Sequence, residues 1–232
     1  MIRVKYISIT FLILFFILPV QAQDINAVLQ KAKAKIESVN DYEATGHMKT
    51  NVAFLKVPVA NVKVYFKKPD KLKVKSEKGI SFIPKGAVNI NLSNLTGANK
   101  FTVIDAGTEL LDGVPVRVAK LLPDDESSDV ILSTVYINDA TSLIIKARTT
   151  TRDNGTYELN MSYGKYTAMG LPDKIIFSFN TKDYKLPKGV TFDFDDGTAK
   201  PAPDKTKNRK GRAEIVFSNY IINRGVSEDV FR

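Results

Sequence analysis

Behind one amphipathic helix, the sequence keeps a two-residue apolar rhythm for most of its length, and few folds accommodate that rhythm. Tyr42, Ala44, Gly46 and Met48 alternate with other residues, as do Val62, Val64 and Phe66, and then Leu72 and Val74 after a Lys68-Pro69-Asp70 turn. Further runs cover 101–104, 114–122, 131–137, 143–151, 157–163, 175–179 and 215–222. Turn signals separate them: Asp112-Gly113, Asn138-Asp139, Asp153-Asn154-Gly155 and Gly170-Leu171-Pro172-Asp173. Asn154-Gly155 between two alternating runs predicts a type I′ hairpin, whose two central residues both need positive φ. Strands that follow one another through short turns form an antiparallel meander rather than βαβ units. The helix precedes them: Ile25, Val28, Leu29, Ala32, Ile36 and Val39 keep the three-and-four spacing of one buried stripe, with Asp24 placed as its N-cap.

A long meander with one helix can hide one sheet face only if the sheet curls or is covered. The expected class is therefore α+β, mainly β, with a strongly curved antiparallel sheet and a helical lid. Such a shape makes an apolar concavity suited to a lipid-like ligand rather than to a reaction. Periodicity alone leaves open whether that concavity is a pocket or a filled core. Two stretches interrupt the rhythm. Residues 80–95 read as a loop and a short polar element; residues 199–212 read as an exposed loop carrying Lys205, Lys207, Arg209, Lys210 and Arg212. No repeat or linker divides the chain, so residues 23–232 are expected to form a single domain with 199–212 as a basic insertion.

Residues 1–22 are expected to be a signal peptide. Arg3 and Lys5 precede an apolar run from Ile7 to Leu18, and small residues at Val20 and Ala22 mark the cleavage site. The run is shorter than the roughly 20 residues of a membrane span. Gln23 stands where a lipid-anchored chain would carry Cys. The expected product is soluble, exported and outside the cytoplasm. The formal charge of the 232-residue chain is +9. Removing Arg3 and Lys5 leaves it basic, so the 205–212 loop is a candidate contact for an anionic membrane surface or a partner. Nucleic acid is not expected for an exported chain without an aromatic-studded binding face.

Little in the sequence carries covalent chemistry. There is no Cys, so thiolate sites lack their residues, and with His47 as the single His a multi-histidine site is ruled out and a His-based triad is disfavoured; a lone His of this kind is more often structural or surface than catalytic. Asp193-Phe194-Asp195-Asp196-Gly197 fails the calcium-loop pattern, because Gly197 falls fifth and Asp204 twelfth. Asp124, Asp125, Glu126 and Asp129 read as a loop. No phosphate loop, nucleophile elbow or zinc signature is present. The expectation is a binding protein with no catalytic residue, metal or cofactor.

Three stretches resemble the LolA/LolB lipoprotein-carrier superfamily, which includes RseB-like regulators. The first is the helix from Ile25 to Val39, followed by Val64-Tyr65-Phe66-Lys67-Lys68-Pro69-Asp70-Lys71-Leu72-Lys73-Val74. The second runs from Val135-Tyr136-Ile137-Asn138-Asp139 through Asn154-Gly155 to Leu171-Pro172-Asp173-Lys174-Ile175, and the third from Phe217-Ser218-Asn219-Tyr220 through Asn223-Arg224-Gly225 to Phe231. The resemblance implies an unclosed β-barrel with helices across its mouth and an apolar cavity for acyl chains. It also implies a periplasmic carrier that receives a lipoprotein from an inner-membrane transporter and hands it to an outer-membrane receptor. A non-catalytic envelope sensor or interaction module on the same fold is the alternative. Where the family carries a functional Arg before its Pro, this chain has Lys68, which keeps the charge without the planar fork of donors.

Lid positions expected on this basis are Ile25, Val28, Leu29 and Ile36 of the helix, together with Phe82 and Ile83. Phe66, Leu72 and Val74 are the cavity candidates, and Lys68 is a lid or partner contact. Ordinary core packing is the competing expectation for the apolar positions.

Overall fold

The structure is a computed structural model that describes residues 24–52, 55–56, 59–69, 71–76, 101–153, 155–180 and 210–232. It consists of helix α1 (Ile25–Glu37) and strands β1 (Asp41–Val52), β2 (Leu55–Lys56), β3 (Ala60–Lys67), β4 (Lys71–Ser76), β5 (Phe101–Leu111), β6 (Val114–Pro123), β7 (Val130–Asn138), β8 (Leu143–Thr151), β9 (Gly155–Ser162), β10 (Lys174–Asn180) and β11 (Lys210–Ile222). Short 3₁₀ turns lie at Thr167–Met169 and Glu228–Val230. All strands join one antiparallel sheet in the order β4-β3-β1-β11-β10-β9-β8-β7-β6-β5, with β2 paired to β1. Among the described residues no ladder joins β4 to β5. The sheet is therefore an unclosed, curved half-barrel, the class expected from the alternating runs.

Local chemistry sets the element ends. Asp24 accepts a hydrogen bond from the Asn26 amide at 3.2 Å and caps α1. The helix stops at Glu37 rather than Val39, because Ser38 Oγ donates to the Lys35 carbonyl at 2.6 Å and Val39 turns into the core. Between β5 and β6, Asp112 (φ 50°) and Gly113 (φ 81°) form the tight turn with two positive φ values. Between β8 and β9 the ladder ends at Thr151 opposite Gly155, whose φ is 67°; Asn154 lies outside the described residues. Strand β5 extends to Leu111, well past the four residues that alternate, since its outer half is exposed and carries no burial pattern. Strand β11 starts at Lys210, so residues 210–212 of the expected loop are strand, with Arg212 opposite Asn51 and Ser178.

The inner face is built from cross-strand rows. In one row Thr50, Ala213, Phe177, Leu159, Ala147, Val135 and Ala119 lie directly opposite one another from β1 to β6. Three alanines are interspersed among larger residues in this row, which leaves room for the sheet to curl. Helix α1 lies on this face and contacts β5, β6 and β7. A second cluster (Val39, Ala44, Val64, Leu171 and Tyr220) fills the β1–β3–β11 side.

The two ends of the half-barrel differ. The α1–β1 link, the β3–β4, β5–β6 and β7–β8 turns, the β9–β10 connection and the C-terminal tail all lie at one end. At the other end the chain leaves β4 and β10 toward residues 77–100 and 181–209, and it re-enters at β5 and β11.

A bulge between Thr45 and Gly46 bends β1 where it crosses β11. A Cβ on Gly46 would lie 2.3 Å from the Val216 carbonyl oxygen, a backbone atom that cannot rotate away. Gly46→Ala is expected to cost about 2 kcal/mol, read as a lower urea midpoint.

Candidate functional site

The site is the concave face and the helix that lies on it. Ile25, Val28 and Ala32 are buried against the inner-face residues Ala119, Leu121, Val135, Ile137 and Ile144, and Leu29 packs on the same cluster. Three of the four expected helix positions thus meet over the sheet; Ile36 is half-buried and lies one turn further on, toward the end where the helix is held. Among the described residues the side chains between α1 and the sheet are buried against one another. Among the described residues, the first two turns of α1 meet the sheet through apolar contacts.

The C-terminal end of α1 is held by polar contacts. Lys68 Nζ donates to the Glu37 carbonyl and to Asn40 Oδ1 (3.3 Å), which ties the β3–β4 turn to the negative end of the helix. Lys35 Nζ donates to the Thr141 carbonyl in the β7–β8 turn. Asn223, at φ 54° just beyond β11, accepts from the Asn40 amide (2.7 Å) and donates to the Ser38 carbonyl (3.2 Å). Asp41 completes the clamp by accepting from the Arg224 (3.1 Å) and Gly225 (2.9 Å) amides. The position where the resembling family carries Arg therefore holds Lys68 as a helix-end cap, a task that a point-like ammonium performs without a guanidinium fork.

Phe66, Leu72 and Val74 face inward on β3 and β4, away from α1, beside the second cluster. The Tyr42 ring stacks on Phe66 with centroids 5.3 Å apart, and Tyr220 meets Tyr42 edge-on at 5.4 Å. Tyr220 donates to the Pro172 carbonyl at 2.7 Å, and Tyr163 to the Ile144 carbonyl at 2.8 Å. Burial pushes the hydroxyls of both well above the usual phenol range. Both hydroxyls are neutral and donate to backbone carbonyls.

Away from the clamp a few hydroxyls stand among the apolar inner-face residues Leu121, Tyr157 and Phe179. Ser133 and Thr149 share a hydrogen bond at 2.9 Å, Thr151 donates to the Gly155 carbonyl, and the Thr50 hydroxyl, in a residue 6% exposed, has no partner among the described residues. Phe82, Ile83, Lys205, Lys207 and Arg209 lie outside the described residues. Lys210 is the first residue of β11. Arg212 is exposed on the outer face of β11 and paired with Glu214 at 2.7 Å, so it belongs to the sheet rather than to a free basic loop. His47 is exposed on the outer face of β1. Among the described residues, no group of three His, Asp or Glu is arranged to hold a metal, and no helix is long and apolar enough to cross a membrane.

Sequence reasoning missed Lys35, Asp41 and Glu228. Glu228, in the 3₁₀ turn of the tail, takes Lys67 (2.9 Å) and Lys71. Hydrogen bonds from Lys71 and Lys67 hold its carboxyl down at about 2. The Asn223-Arg224-Gly225 turn was the visible signal for this tail, because positive φ at Asn223 and Gly225 folds it back over β3.

No protein-family model matches the sequence, and no curated protein does. Solved structures do. A candidate outer membrane lipoprotein-sorting protein domain from Vibrio parahaemolyticus has a TM-score of 0.57 at 14% identity, covering 88% of this chain and 94% of that one. A LolA superfamily protein from Nitrosomonas europaea has a TM-score of 0.52 at 11% identity, covering 89% and 96%. The fold is that of the LolA/LolB superfamily. A DUF1329 family protein from Desulfovibrio piger has a TM-score of 0.55 at 13% identity, covering 90% and 97%. The LolA fold is thus spanned over nearly its whole length at identities that establish architecture and leave the role to this chain's own residues.

Two outcomes follow from the clamp. Asn223→Ala removes three hydrogen bonds at the α1–β1 link and is expected to speed amide exchange in α1 selectively, with a global loss of about 1–2 kcal/mol by denaturant titration. Because the Glu228 carboxyl is lowered, its tie to Lys67 and Lys71 is complete above the ordinary carboxylate value of 4.5 and is lost only as pH falls through about 2. A ¹³C titration of Glu228 should show that low midpoint, returning toward 4.5 in a Lys67→Gln, Lys71→Gln variant.

Proposed function

We propose that the chain is a non-catalytic periplasmic carrier that binds the acyl chains of a lipid or lipoprotein between α1 and the concave face and passes them to the outer membrane. The observation that carries this reading is the asymmetry of α1. One end is fixed by Lys35, Lys68 and Asn223, while Ile25, Val28, Leu29 and Ala32 hold the rest through contacts an acyl chain can replace.

Magnitudes favour exchange over simple filling. Burying the three large apolar side chains of α1 stabilises the closed state by about 5–8 kcal/mol. An acyl chain of about 16 carbons gains about 12 kcal/mol on burial. The difference, reduced further by ordering costs, leaves an affinity moderate enough for release. The ligand's polar end would leave past Thr50, Ser133 and Thr149, where hydroxyls line the inner face. A lipoprotein-sorting neighbour with the same fold supports the acyl-chain reading. Delivery from an inner-membrane transporter to an outer-membrane receptor extends the proposal to partners.

Val28→Ala separates a lid from an ordinary core helix. Weakening the lid's own contacts lowers the cost of opening it, so a fluorescent fatty acid is expected to bind about fivefold more tightly while stability falls by about 1 kcal/mol. A loss of stability without any gain in affinity would point to plain core packing. Solvent extraction of the purified protein followed by mass spectrometry should recover a stoichiometric acylated species. A protein that is empty and also refuses fatty acid would overturn the carrier and leave the sensor or interaction module.

A further inference from the structure

The outer face of the β3–β4 hairpin carries a concentrated block of positive charge, only part of which the C-terminal tail uses. Lys63, Tyr65 and Lys67 point outward from β3, and Lys75, Lys73 and Lys71 stand directly opposite them on β4. Lysine therefore faces lysine at both ends of the block, an arrangement that costs stability in a sheet. Lysines on β4 have an ordinary explanation, since a charged edge strand resists pairing with other chains. Strand β3 has no such need, because β1 and β4 flank it on both sides. Its two lysines are left unexplained by edge protection.

The free protein partly neutralises the block. Glu43 pairs with Lys63 at 3.4 Å, and Glu228 of the tail takes both Lys67 and Lys71. Lys73 donates to the Arg232 carbonyl, and Lys75 lies 5.5 Å from the centre of the Tyr65 ring. Lys63 and Lys71 remain more than 40% exposed at their side chains.

We propose that this outer face docks on an anionic lipid bilayer, with Glu228 as the internal competitor that keeps the contact reversible. The block consists of five lysines and no arginine. Lysine is a compact charge that suits a laterally fluid field of headgroups, whereas a site built for carboxylate or phosphate groups on a polypeptide favours the bidentate arginine fork. Tyr65 at its centre offers an amphipathic ring of the kind enriched at membrane interfaces. The docking face is opposite the concave face, so a docked protein keeps α1 free to move. The assignment rests on the charge geometry alone and stands whether or not the concave face carries lipid.

The test is co-sedimentation with phosphatidylcholine vesicles and with vesicles containing about 30% phosphatidylglycerol at low salt. Binding to the anionic vesicles alone is expected, and it should fall as salt is raised. Lys63→Gln with Lys75→Gln, both outside the tail contact, should weaken it about 20–30-fold, near fivefold per lysine. Glu228→Gln should strengthen it, an effect opposite in sign to any damage from loosening the tail. Far-ultraviolet circular dichroism melts identify a variant that fails to fold, in which case the single Lys75→Gln replaces the pair. Equal binding to both vesicle types overturns the proposal. So does binding lost only when Lys205, Lys207 and Arg209 are neutralised, or binding to poly-glutamate but not to vesicles. Fatty-acid uptake measured on the same variants keeps the carrier reading separate: it should be unchanged when docking is lost.

Discussion

A single unclosed sheet has one apolar face that must be kept from water, and the curl of the sheet and the placement of α1 answer that constraint. Curling turns the sheet partly on itself, with alanines at Ala213, Ala147 and Ala119 set between larger neighbours in one inner row. Curling is not enough, so α1 lies on the face and completes the core through Ile25, Val28 and Ala32. The cover is therefore a separate element joined to the sheet by three residues, 38–40, and not another strand of it. A strand would be held by its ladder; a helix on a greasy face is held by area, which another apolar body can supply.

Polar contacts decide which part of that cover can move. Lys35, Lys68, Asn223 and Asp41 gather the helix end, the first strand, the last strand and the β3–β4 turn into one knot. Apart from the Asn40 side-chain oxygen, the partners in it are backbone carbonyls and amides near the ends of helix and strands, groups that have no partner within their own element. The tail extends the same knot outward, over the lysines of β3 and β4. Concave and convex faces thus share one anchored end while differing in chemistry: apolar and covered within, cationic and partly neutralised without.

Much of the architecture was legible. Alternation at Tyr42–Met48, Val62–Phe66 and Leu72–Val74 gave the inward faces of three strands, and Asp24 was recognisable as a cap, because periodicity and capping are local properties. Turn residues marked the hairpins: Asp112-Gly113 carries two positive φ values and Gly155 one, with Asn154 outside the described residues. Strand lengths were less legible. Most of β5 is exposed and shows no alternation, and the start of β11 is a run of basic residues that reads as loop until its two neighbours pair with it. Lys35 and Asp41 looked like ordinary helix-surface and turn residues, since their partners are 106 and about 183 positions away.

The sequence by itself determined the class: one amphipathic helix and a long antiparallel meander. Those follow from spacing and residue type, which need no knowledge of neighbours. Only the tertiary structure decided that α1 lies over β5 to β7 and not over the β3–β4 side, so that Phe66, Leu72 and Val74 pack with tyrosines instead of with the helix. Only it could show that Lys68 caps a helix, that Lys63 faces Lys75, and that Glu228 stands between Lys67 and Lys71. The reason is register: which residue stands opposite which is fixed by the sum of many weak cross-strand and helix–sheet contacts, none of which is written in any one segment.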